Sequence, residues 1–120
     1  IEFTTDLIAT INQATYLLIV VPSHGFSDLI NKIKPHLDIS KHKIVSATKG
    51  LDAATSKFLS LIVAKLLTQK FPIAVLSGPS FAKEVVNNLP TAVVMAFQEQ
   101  HQLSFNKLIK KLNAPIISSI

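Results

Sequence analysis

The 120-residue chain contains no cysteine, no tryptophan and no arginine. Without cysteine there is neither a disulfide framework nor a thiolate metal site, and the chain suits a reducing compartment. No uninterrupted apolar run exceeds six residues, as in Tyr16–Val21, against the ~20 that a membrane-crossing helix needs. A transmembrane helix is therefore excluded. The positive charge is all lysine, 12 against 7 acidic residues, for a net +5. A basic chain first suggests nucleic acid. Base readout leans on arginine, however, and single-strand binding on stacked aromatics, whereas here Tyr16 is alone and the phenylalanines fall in apolar patterns. No nucleic-acid partner is expected, and the lysines read as a solvated surface mildly attractive to small anions. Glycine is also scarce. Gly25, Gly50 and Gly78 stand too far apart to form a G-x-G-x-x-G turn, and no G-x-x-x-x-G-K-[ST] loop exists, so the phosphate-cradling fingerprints are missing from these residues.

What the chain does have is apolar residues, 48% of the total, enough for one domain with its own core. Two periodicities alternate. Tyr16–Val21, Lys43–Ala47, Pro72–Leu76 and Thr91–Ala96 are short, nearly continuous apolar runs rich in β-branched residues, the pattern of strands buried on both faces. Between them apolar residues recur at helical spacing: Leu7, Ile8 and Ile11; Phe26, Leu29, Ile30 and Ile33; Leu59, Ile62, Val63, Leu66 and Leu67; Leu103, Leu108, Ile109 and Leu112. Strand and helix taking turns predict an α/β fold, a doubly wound and mostly parallel sheet with helices on both faces. Pro35 closes the second helical pattern and Pro90 precedes the fourth strand, where a missing N–H costs little. The chain opens on Ile1-Glu2-Phe3 without a signal-peptide pattern and stops in the strand-like Pro115–Ile120. Both ends read as cuts, which makes the sheet incomplete at both ends.

Ligands of such sheets bind beyond the carboxyl ends of the strands, which directs attention to Pro22-Ser23-His24-Gly25, Thr48-Lys49-Gly50-Leu51 and Ser77-Gly78-Pro79-Ser80-Phe81-Ala82. Lys49 puts an ammonium beside a turn glycine, suited to a phosphate or a polarised carbonyl oxygen; the plainer alternative is a solvated loop lysine. Ser80, with Glu84 behind it, suits a helix N-cap whose free N–H groups face an anion, or simply a cap and a turn. His24 is the candidate for acid–base work, although no carboxylate is fixed beside it in sequence. His36, His42 and His101 show no metal-ligand spacing, so no metal is expected. Asp52 reads as a loop residue and Glu84 as a first-turn helix residue. There is no nucleophile elbow.

Val20-Val21-Pro22-Ser23-His24 followed by Phe26, then Ala47-Thr48-Lys49-Gly50-Leu51, Leu76-Ser77-Gly78-Pro79-Ser80-Phe81-Ala82-Lys83-Glu84 and Leu89-Pro90-Thr91-Ala92-Val93 together resemble the bacterial NAD(P)-dependent sn-glycerol-3-phosphate dehydrogenases. The resemblance covers essentially the whole chain. It implies that residues 1–120 are part of a Rossmann-like NAD(P)-binding domain. It further implies reversible hydride transfer between NAD or NADP and sn-glycerol 3-phosphate, giving dihydroxyacetone phosphate and supplying glycerophospholipid synthesis. By the same resemblance Lys49 contacts both cofactor and substrate, Gly78 and Ser80 line the substrate site, Ala82 touches the cofactor, and Phe26 packs near the nicotinamide side. The implied ligand is a small-molecule phosphate, the location cytoplasmic, and the full-length protein a homo-oligomer. Two features of the family are missing from these residues: the glycine-rich first turn and the helical C-terminal domain, which carries the proton acceptor. No lysine here is assigned that catalytic role, and the fragment alone is expected to be inactive. The alternatives are a degenerate, non-catalytic α/β binding module, and a related Rossmann dehydrogenase for another hydroxy acid.

Overall fold

A computed structural model describes residues 3–52, 54–68, 70–79 and 81–112, and the backbone of 116–119. The elements alternate as the periodicity predicts: α1 (Leu7–Gln13), β1 (Tyr16–Ile19), α2 (Phe26–Ile33), β2 (Lys43–Ser46), α3 (Leu59–Leu66), β3 (Ile73–Ser77), α4 (Ala82–Val86), β4 (Val93–Phe97), α5 (Gln102–Lys111) and β5 (Ile116–Ser119). Local chemistry sets several boundaries. The Asp6 carboxylate caps α1 by accepting from the Ala9 N–H at 2.9 Å, satisfying a donor with no helical partner. Pro35 falls in a short 3-10 turn, Lys34–His36, that closes α2.

The five strands lie side by side in chain order. β1, β2 and β3 are parallel, with Leu17 opposite Ile44 and Val45 opposite Ala74. β4 then runs antiparallel to β3, pairing Ser77 with Val94, and β5 runs parallel to β4. The sheet is thus mixed: the last two strands point against the first three. A parallel crossover must carry the chain back along the whole sheet, whereas the segment from Gly78 to Ala92 returns to the strand end it left. A Cβ placed on Gly78 would stand 2.4 Å from the Ala92 carbonyl oxygen, so the two ends of that excursion touch through a side chain that glycine lacks.

Successive strand residues face opposite ways, and the core divides accordingly. One cluster joins Ile11, Ile19, Phe26, Ile30, Ile33, Ile44, Leu59, Val63 and Phe71, beneath α1, α2 and α3. The other joins Val45, Ala74, Met95, Phe97 and Phe105, beneath α5. Two expectations need correction. β1 is not covered along the whole of both faces: the α5-side cluster, centred on β2, β3 and β4, reaches β1 at Tyr16, whereas Leu18 is 59% exposed. In α5 the buried residue is Phe105, whose ring stacks on Phe97 at 5.6 Å, while Leu103 is 87% exposed. Leu108, Ile109 and Leu112 follow Phe105 by three, four and seven residues and share its face; Leu103 is out of phase with them.

His42 is 2% exposed and fastens the start of β2. Its Nδ1 accepts from the Asp38 N–H at 2.8 Å, and Nε2 lies 3.1 Å from the Ile11 carbonyl. Those partners fix the Nε2–H tautomer and tie the end of α1 to the sheet.

Candidate functional site

The three glycine-bearing loops predicted from the sequence converge at the carboxyl ends of β1, β2 and β3. Thr48 clips the first two together: its Oγ1 accepts from the Val21 N–H at 3.2 Å and donates to the Ile19 carbonyl at 3.4 Å. Gly50 has φ +102°, a left-handed conformation that side chains rarely adopt, and a Cβ there would sit 3.6 Å from the Ser23 side chain. The β2 loop thereby turns against the β1 loop and leaves Lys49 exposed at the strand ends. From there the Lys49 ammonium donates to Ser77 Oγ, at the end of β3, at 2.6 Å. One cation is thus held across two strand ends by a short, charge-assisted hydrogen bond.

Gly78 follows directly, and its need to be glycine has a local cause. The Ala92 carbonyl and Val93 Cα, at 2.4 and 3.0 Å from a would-be Cβ, fill the space a side chain would take. The lack of a side chain is thus explained by the approach of β4, independently of any substrate. Ser80 lies outside the described residues. The N-cap of α4 is Phe81, whose N–H lies 3.4 Å from the Glu84 carboxylate. α4 itself runs for five residues, Ala82–Val86. Ala82, the first residue of α4, is exposed.

Phe26 is 0% exposed and belongs to the core beneath α2, where it anchors the helix. His24 is exposed in the Ser23–Gly25 turn and makes no hydrogen bond among the described residues. Among the described residues, none holds its imidazole in place by a hydrogen bond. No cluster of histidine and carboxylate residues able to hold a metal occurs among the described residues.

Asp52 has a larger part than its sequence context suggests. It is 7% exposed, and its carboxylate accepts from Ser27 Oγ at 3.0 Å, the Thr55 N–H at 2.9 Å and Thr55 Oγ1 at 2.7 Å. The Thr55 hydroxyl is the main reason its carboxyl stays below the usual carboxylate range; burial pulls the other way, and Ser27 and the Thr55 amide add to the lowering. Asp52 pins the chain that follows Gly50 onto the first turn of α2. The Asp-x-x-Thr spacing was a readable signal for half of this network. The partnership with Ser27, 25 residues away, was not.

The site is therefore an open, lysine-centred junction built on rigid strand ends, with Lys49, Ser77 and Gly78 contiguous. Residues 1–103 match the family described as NAD-dependent glycerol-3-phosphate dehydrogenase N-terminus. The glycerol-3-phosphate dehydrogenase [NAD(P)+] of Pasteurella multocida is 47% identical over 110 residues, 91% of this chain and 32% of that protein. The same enzyme from Actinobacillus pleuropneumoniae serotype 5b is 45% identical over 96 residues, 80% of this chain and 28% of its own length. The crystal structure of glycerol-3-phosphate dehydrogenase from Coxiella burnetii superposes with a TM-score of 0.82 at 42% identity, covering 95% of this chain and 34% of that one. The chain spans about a third of the length of these relatives. Its sheet is thus Rossmann-like, and the chain belongs to the NAD-dependent glycerol-3-phosphate dehydrogenase family, to the part described as the N-terminus.

Proposed function

We propose that the whole protein is an NAD(P)-dependent oxidoreductase that interconverts sn-glycerol 3-phosphate and dihydroxyacetone phosphate. Residues 1–120 are part of its cofactor-binding domain. The observation that carries this reading is the Lys49 ammonium, presented at the strand ends and held there by Ser77. Two demands of the reaction suit such a group. The substrate is a phosphate ester, and the oxygen of a ketone under reduction gains negative charge. A fixed ammonium attracts the first and stabilises the second.

Bound NAD(P)H supplies the hydride. The donor set fits such a ligand in part: Lys49 and Ala82 are both exposed and are the residues proposed to face the cofactor, while the phosphate cradle and the proton acceptor come from elsewhere in the protein. Lys49, Gly78 and Ser80 are proposed to line the substrate site. Gly78 contributes by letting β4 close against β3, which fixes the floor beside Lys49. The reading extends to a cytoplasmic homo-oligomer feeding glycerophospholipid synthesis. It is compatible with the absence of cysteine and with the fact that, among the described residues, no helix is long and apolar enough to cross a membrane.

The test is Lys49→Ala in the full-length enzyme. The Michaelis constant for dihydroxyacetone phosphate is expected to rise and turnover to fall, together lowering kcat/KM by about 100-fold or more, the scale of removing one preorganised electrostatic donor. Unchanged kinetics would remove Lys49 from the site.

A further inference from the structure

Ser77 has a geometry that neither the family match nor the proposed substrate contacts account for. It is the last residue of β3, and Val94 of β4 is its register partner. Two positions earlier Val75 pairs with Ser46, the last residue of β2. The backbone beneath Ser77 is therefore held by strands on both sides, and the Gly78–Ala92 approach locks the residue that follows. Lys49 is held differently. Its backbone belongs to a loop that turns on the left-handed Gly50, and its side chain has four rotatable bonds ending in a strongly hydrated ammonium. Left free, that ammonium samples many positions over the strand ends. Its 2.6 Å contact with Ser77 Oγ favours the one that reaches the end of β3.

We propose that Ser77 is a positioning residue for Lys49: its hydroxyl oxygen accepts from the ammonium and fixes the cation where ligand charge is to be met. The inference rests on the proposed role of Lys49 and adds the group that makes that role geometrically defined. Misplacing a reacting group by about 1 Å costs on the order of 100-fold in rate. A side chain that holds Nζ therefore has a kinetic effect without touching a reacting atom. Only the hydroxyl oxygen is required, so threonine is expected to serve, since it keeps that oxygen and suits a strand. Alanine removes it.

Ser77→Ala, Ser77→Thr, Lys49→Ala and the Lys49→Ala/Ser77→Ala double variant are compared in the full-length enzyme, with thermal unfolding midpoints recorded for each. Ser77→Ala is expected to lower kcat/KM for dihydroxyacetone phosphate about ten- to 100-fold, with an unchanged unfolding midpoint. Ser77→Thr is expected within about threefold of the parent, and the alanine change is expected to cost under about twofold once Lys49 is gone. Three results would overturn the proposal: parent kinetics in Ser77→Ala beside a crippled Lys49→Ala, an undiminished Ser77→Ala loss in the Lys49→Ala background, or no rescue by a threonine variant that unfolds at the parent temperature. Parent kinetics in Lys49→Ala would instead overturn the role of Lys49 itself, and with it anything for Ser77 to position.

Discussion

At the scale of single residues, the clearest constraint is steric. A methyl group at Gly78 would meet the Ala92 carbonyl oxygen at 2.4 Å, a backbone atom that cannot swing aside, whereas a methyl at Gly25 would meet nothing within 4 Å. Gly78→Ala is expected to destabilise the protein by about 1–3 kcal/mol, as overpacking does, and Gly25→Ala by no more than about 0.5 kcal/mol, the scale for an unencumbered site. Chemical denaturation of the two variants checks the difference. Asp52 supplies a second prediction. A carboxyl whose folded pKa is depressed adds stability above its unfolded value, near 4, and loses it as the pH falls through the lower folded value. Asp52→Asn is therefore expected to unfold at a lower temperature than the parent at neutral pH. The two unfolding curves should converge as the pH falls below about 4. A constant gap down to pH 2 would show that the hydroxyls of Thr55 and Ser27 do not favour the ionised form.

Elements depend on phase, and α5 shows how. Phe105 is fully buried against Phe97, and Leu103 projects into solvent two residues before it. Phe105→Ala is expected to cost about 3–5 kcal/mol and Leu103→Ala to stay within about 0.5 kcal/mol; equal costs would mean that the helix is rotated from its described phase. Leu103 matched the helical spacing of the apolar residues loosely enough to be taken for the stripe, because a one-dimensional pattern does not say which of two near neighbours meets the sheet. Tight runs such as Lys43–Ser46 were unambiguous, since a strand covered on both faces leaves no phase to choose. β1 carried the same signal, yet one of its faces is open at Leu18. Strand direction was hidden as well. The reversal at β4 brings Gly78 against Ala92, residues that no local pattern relates.

For the molecule as a whole, the candidate site was legible where general rules apply and obscure where it depends on pairings at a distance. That Lys49 would stand at a strand's carboxyl end followed from the alternation of elements, because doubly wound sheets gather their ligands there. That Ser77 would be its partner did not follow, since the two are 28 residues apart and meet only because β2 and β3 are neighbours. Phe26, near the strand-end motifs in sequence, turns its side chain into the core and supports α2. What the fold provides is a rigid floor of three parallel strand ends, closed on one side by β4 returning against Gly78, with a single lysine drawn across it. Under the proposed function, that arrangement is expected to favour a small anionic ligand over a neutral one of the same size.

The full-length enzyme's oxidation of NADH and NADPH in the presence of dihydroxyacetone phosphate, set beside phosphate-free dihydroxyacetone, tests that preference most directly. Rapid oxidation with the phosphate ester, and a kcat/KM at least about 100-fold lower with the free ketone, on the scale of a lost charged contact, is the predicted result. Equal rates with both ketones, or oxidation with neither, would contradict it.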